Sequence, residues 1–212
     1  MATYDLEEQE KIEELKAWWK QYGTLIITTT ALALIIIAGM RFWDGYQRTQ
    51  SVEANAVYNR LLQAVQADEG SKVAELSALV RDDYSRTVYA SLGTFAAAKY
   101  HVEKGELEAA REQLAWAAEN ARDAQLKAVA RLRLAQVLID LQRYDEALQQ
   151  LEAEHPAAFT TQYAQTRGDI YALQGKTGEA RTAYQAALAA TSPAERTLRE
   201  LLQFKIDNLG AV

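Results

Sequence analysis

Between Lys20 and Arg41 the chain carries no charged side chain. Twenty residues of helix at about 1.5 Å each cover roughly the 30 Å hydrocarbon core of a bilayer. Leu25, Ile26, Ile27, Leu32, Leu34, Ile35, Ile36 and Ile37 together favour insertion by roughly 2 to 5 kcal/mol. Thr28, Thr29 and Thr30 lie mid-span. Each hydroxyl can bond a carbonyl one turn back, so they weaken the apolar signal without cancelling it. Trp18, Trp19 and Tyr22 on one flank, with Phe42 and Trp43 on the other, match the aromatic belts of the two membrane interfaces.

A buried helix of a soluble protein and a cleaved signal peptide are the competing readings. A signal peptide opens on a basic segment and ends in a small-x-small site. Here Asp5, Glu7, Glu8, Glu10, Glu13 and Glu14 precede the run, and IIIAGMRFW closes it. An uncleaved span over residues 21–43 is therefore expected. It follows an amphipathic tail over residues 1–20, in which Ile12, Leu15, Trp19 and Tyr22 share one face. Charge does not settle its sidedness. Lys11, Lys16 and Lys20 stand before it, and Arg41, Arg48 and Arg60 within about twenty residues after it, which is a tie under the positive-inside rule.

A net charge of −6, a pI near 5.1 and no basic run argue against nucleic acid, whose binding needs a cationic patch. With no cysteine in the chain, thiolate chemistry and disulfides are excluded, and the compartment is left open. His101 and His155 lack a second ligand at metal spacing. The tripeptide GKT at Gly175 to Thr177 lacks the first glycine of a phosphate loop: Ile170 holds that place. Neither a nucleophile motif nor a glycine-rich loop is present, so the reading is a non-enzyme, with no catalytic residue, cofactor or metal expected.

Past a connector over residues 44–54, alanine and leucine recur at helical spacing and strand-like alternation is absent. Ala110, Ala147 and Ala180 are each followed at the fourth place by Leu114, Leu151 and Tyr184. Twelve residues before each stands a small residue: Ala98, Ala135 and Gly168. Small residues let paired helices approach, and the larger one fills the adjoining hole. Between the helices lie EKGELEAA, LQRYDEAL and LQGKTGEA, with Gly105 and Gly175 suited to a helix C-terminal turn and Gln142 in the third such place. Glu154 replaces the last alanine of the middle unit, which marks that unit as degenerate. A weaker first unit is expected from Ala74, with Leu62 where a small residue belongs.

These units resemble the tetratricopeptide repeat over residues 91–193. The expected fold is all-α: one transmembrane helix, four helical hairpins over residues 55–194 with the first degenerate, and a capping helix over residues 195–212. On the first helix of each hairpin a stripe flanks the small residue: Phe95, Lys99, Val102; Leu132, Gln136, Ile139; Gln165, Asp169, Ala172. In a repeat array such stripes line the concave face, and their mixed apolar and amide chemistry suits extended polypeptide. Leu132 and Ile139 fit a plain core role equally well.

The whole arrangement, an acidic tail ending in WWKQYG, one span, degenerate repeats and a terminal KIDNL, is similar to the YfgM family of bacterial inner-membrane proteins. The resemblance implies a cytoplasmic N-terminus, a periplasmic repeat domain and ancillary service at the SecYEG translocon. It also implies a chaperone or adaptor for translocating polypeptides, in company with the membrane-anchored chaperone PpiD. The alternative is an inner-membrane scaffold or regulator whose N-terminal tail binds a cytosolic signalling protein.

Overall fold

The computed structural model describes the backbone of residues 2–209 and the side chains of residues 11–209. Among the described residues every regular element is helical. In chain order they are α1 (Ala2–Gln66), α2 (Gly70–Asp83), α3 (Val88–Glu103), α4 (Leu107–Asn120), α5 (Ala124–Asp140), α6 (Tyr144–Glu152), α7 (Thr160–Leu173), α8 (Thr177–Ala190) and α9 (Arg196–Asp207), with a 3₁₀ turn over Ala157–Phe159 before α7. The chain divides into two compact units, residues 1–49 and residues 50–212. The connector expected over residues 44–54 is itself helical, as part of α1.

In the first unit, α1 contains a stretch long and apolar enough to cross a membrane. Among the described residues its large side chains are left exposed: Leu25, Leu32, Leu34 and Ile35 are each about 60% exposed or more. In water every such side chain would forgo about 1.5 to 3 kcal/mol of burial, whereas lipid tails are an equally apolar solvent. The span meets its own polar requirements. Thr28 Oγ1 donates to the Thr24 and Leu25 carbonyls, both at 2.9 Å, and Thr29 Oγ1 donates to Leu25 O at 2.8 Å. Trp18 and Tyr22 lie ring to ring at 5.8 Å before the apolar run, and Trp43 and Tyr46 at 6.2 Å after it.

The second unit is a stack of helical hairpins. The end of α1 pairs with α2, then α3 with α4, α5 with α6 and α7 with α8, and α9 closes the series against α8. Ala98 and Ala135 are buried at their helix crossings, and so is Gly168, where an added Cβ would lie 2.5 Å from ring atoms of Tyr184. Close approach at these points is what allows the three buried clusters to run from one hairpin into the next.

All four hairpins turn the same way. The turn residues Asp68, Gly105, Gln142 and Gly175 have φ of 58°, 75°, 58° and 73°. Each turn is closed by an amide that reaches back five residues: Glu69 N to Ala64 O, Glu106 N to His101 O, Arg143 N to Leu138 O and Lys176 N to Tyr171 O, at 2.8–2.9 Å. This pairing uses the carbonyls a helix end leaves without partners.

The first hairpin corrects the expected register by one residue. Ala74 is exposed, and Val73 occupies the buried place 37 residues before Ala110. Likewise Leu61, fully buried, takes the crossing position assigned to Leu62. The space for so large a residue comes from the neighbouring helix. A Cβ on Gly93 of α3 would lie 2.5 Å from Val80 and 3.4 Å from Leu61, so the small residue sits on α3 while the bulk sits on α1 and α2. The degenerate third hairpin is short for an identifiable reason. Its second helix, α6, stops at Glu152, because Pro156 disfavours helical backbone at the residue before it and lacks an amide to donate. Glu154 is left outside the helix, where its carbonyl accepts from Arg131 Nη1 at 3.1 Å.

Candidate functional site

Successive first helices lie side by side, and between α3 and α5 they leave a groove of about 570 Å³. Leu92, Phe95, Ala96, Val102, Leu114 and Val137 give it an apolar floor, and Tyr58 of α1 closes one side. Lys99, Glu103, Arg133, Gln136 and Asp140 form its polar rim. Phe95 is only 8% exposed, with its ring sandwiched between the core and the Arg133 guanidinium, which lies 4.8 Å from the ring centroid. Stacking of this kind holds the planar cation in place while leaving its N–H groups free for a partner. Lys99 leans towards Glu103 at 3.6 Å, and both are well exposed.

The structure brings four residues of the expected stripe into this groove: Phe95, Lys99, Val102 and Gln136. Leu132 and Ile139 are half-buried and pack against the central core. The three residues on α7 lie elsewhere. Gln165 is half-buried, Ala172 packs against the last core cluster, and the Asp169 carboxylate is taken by the cap. Asp169 accepts from Tyr184 Oη at 2.6 Å and is paired with Lys205 of α9. Burial, with this bond to Asp169 added, holds the Tyr184 phenol far above its ordinary pKa. Tyr58, Arg133 and Asp140 were not anticipated. The 37-residue spacing contained the signal for two of them, since it sets Arg133 at the level of Ala96 and Asp140 at the level of Glu103.

Polar bridges tie successive turns together along one edge of the stack. Asp68 is paired with Lys104 and accepts from Tyr100 Oη at 3.0 Å. Hydrogen bonds from Lys104 and then Tyr100 hold its carboxyl below the usual range. Glu108 meets Arg143 at 3.2 Å, and Asp145 accepts from Gln174 Nε2 at 3.2 Å. Both histidines have partners within the repeats. His101 Nδ1 lies 2.6 Å from Glu106 Oε2, and His155 stacks on the buried Tyr163 ring at 3.9 Å. The GKT tripeptide forms the α7–α8 turn, with Lys176 Nζ 5.9 Å from the Tyr171 ring. The expected membrane-interface residues Trp18, Trp19, Tyr22, Phe42 and Trp43 are all exposed on α1.

Residues 16–211 match the family model of the tetratricopeptide repeat-like domain. Similar proteins run the full length of the chain. One from Haemophilus influenzae is 32% identical over 98% of this chain and 100% of its own length, and one from Neisseria gonorrhoeae is 33% identical over 99% and 100%. A third, from Escherichia coli K12, is 28% identical over 99% and 100%. Each of these three relatives is named ancillary SecYEG translocon subunit.

Proposed function

We propose, from the premise that this chain belongs to the YfgM family of tetratricopeptide repeat-like proteins, that it is a membrane-anchored, non-enzymatic adaptor of the bacterial Sec translocon with chaperone activity. In this reading the exposed apolar stretch of α1 crosses the inner membrane, the N-terminus lies in the cytoplasm, and the repeats work in the periplasm. The names of the full-length relatives support the translocon as the place of action.

The observation that carries the binding role is the α3–α5 groove. Its aromatic and aliphatic floor with a rim of alternating charge and amide can take up side chains of a passing polypeptide without demanding one sequence. Clients are translocating polypeptides, and a PpiD-like membrane chaperone is the expected partner in handing them on. Photo-crosslinking from positions 99 and 136 in intact cells tests this. Adducts with translocating chains or with a PpiD-like chaperone are expected. Adducts formed only from the first twenty residues, with none from the groove, would instead favour a scaffold acting through its tail, where Ile12, Leu15, Trp19 and Tyr22 are exposed.

A further inference from the structure

We infer that the α3–α5 groove selects extended segments in which a carboxylate and a basic side chain bracket two apolar residues, in preference to uncharged apolar segments. The inference rests on the reading of the groove as a polypeptide site and adds a charge rule to it. Its basis is where the rim charges stand. Arg133 lies at the level of Ala96, over Phe95, and among the described residues no carboxylate pairs with it. A stacked guanidinium keeps its donor fork ready for a carboxylate.

Seven residues further along the same helix stands Asp140, level with Glu103 of α3. Lys99 offsets one of these two carboxylates through its exposed pair with Glu103, so that end of the groove keeps a net negative charge. One end is thus cationic, over Phe95, and the other anionic, with Val102 and Val137 on the apolar floor between them. Seven helical residues span about 10.5 Å. A chain in the extended polyproline II conformation rises about 3.1 Å per residue and returns every third side chain to the same side, so a segment of the form Glu-Leu-Phe-Lys places its carboxylate at Arg133 and its ammonium at Asp140. A segment with two like charges puts one of them against its own sign, and a neutral segment gains from neither end.

Fluorescence anisotropy on the full chain in detergent, with labelled peptides in Gly-Ser flanks, tests the rule. At low ionic strength the Glu-Leu-Phe-Lys core should bind about fivefold more tightly than Gln-Leu-Phe-Gln, Glu-Leu-Phe-Glu or Lys-Leu-Phe-Lys, two rim ion pairs being worth about that much. The advantage should shrink as salt rises. Arg133 and Asp140 are both exposed, so substitution there leaves the fold intact. Arg133→Gln should abolish the advantage over Lys-Leu-Phe-Lys while keeping that over Glu-Leu-Phe-Glu, and Asp140→Arg should shift preference to Glu-Leu-Phe-Glu. A Gln136→Trp variant, which fills the groove from an exposed position, should weaken every peptide. Equal affinity for all four cores with binding still lost in Gln136→Trp overturns the charge rule and leaves the groove as a polypeptide site. Affinity indifferent to Gln136→Trp, or no binding at all, overturns both.

Discussion

Two positions show how much a single side chain decides in this molecule. Gln142 stands with φ of 58° where the equivalent turns at Gly105 and Gly175 use glycine. An L side chain in that region costs about 1 to 2 kcal/mol, part of which glycine would give back through its floppier unfolded chain. Gln142→Gly should therefore stabilise the repeat unit by about 0.5 to 1 kcal/mol, read as a higher urea midpoint with unchanged slope. Tyr184 is the second case. Its phenol is buried and donates to Asp169, and its pKa lies well above the ordinary 10.0. The folded protein therefore keeps a proton that the unfolded chain releases at pH above 10. The stability this contributes is present in full below that pH and is lost as pH rises beyond it, at up to about 1.4 kcal/mol per pH unit. Urea midpoints should fall across that alkaline range, and Tyr184→Phe should flatten the decline.

At the scale of elements, each helix reports its own solvent. The helix α9 buries Leu202 and Ile206 and leaves Leu201 and Phe204 outward; Lys205 fixes it to Asp169 of α7. The apolar stretch of α1 does the reverse, with bulky side chains exposed on every side. A helix that is apolar all round and left unburied among the described residues fits lipid as its solvent. Leu32→Lys should cost about 3 kcal/mol at the bilayer centre, enough to offset most of the insertion energy. After carbonate extraction the variant should move largely to the supernatant while the parent chain pellets; equal pelleting would refute spanning. Much of this level was legible beforehand. The pairings of Ala110 with Leu114 and of Gly168 with Tyr184 follow from spacing alone, because a small residue and its filler must recur wherever the same crossing recurs. The spacing sets the first hairpin one residue out of step because the rule of a small residue at the crossing fails there. Gly93 on the next helix provides the room for Leu61 and Val80, and such an exchange across helices leaves no periodic mark.

For the molecule as a whole, the two units have contrasting surfaces, an exposed apolar one along the α1 stretch and a charged and polar one on the repeats, as the proposed membrane anchoring requires. The basic residues flanking the apolar stretch balance, so the periplasmic placement proposed for the repeats is tested directly. Protease added to intact spheroplasts should digest residues beyond the span and leave the segment ahead of it protected. A repeat domain that survives until detergent is added would place it in the cytoplasm.

The amino-acid pattern by itself determined the helical class, the apolar run and the repeat period, because helix spacing and transfer energy are local or additive properties of the chain. It also marked the middle unit as irregular through Glu154. Which stripe residues meet was decided only by the tertiary structure. Phe95, Lys99, Val102 and Gln136 share a groove, whereas Asp169, at the same place on its own helix, is drawn to Lys205 and Tyr184. The stripe positions are equivalent along the sequence, but α7 has α9 as its next neighbour while α3 has α5. A side chain's role is set by the helix that comes to lie against it, and that neighbour is a product of folding.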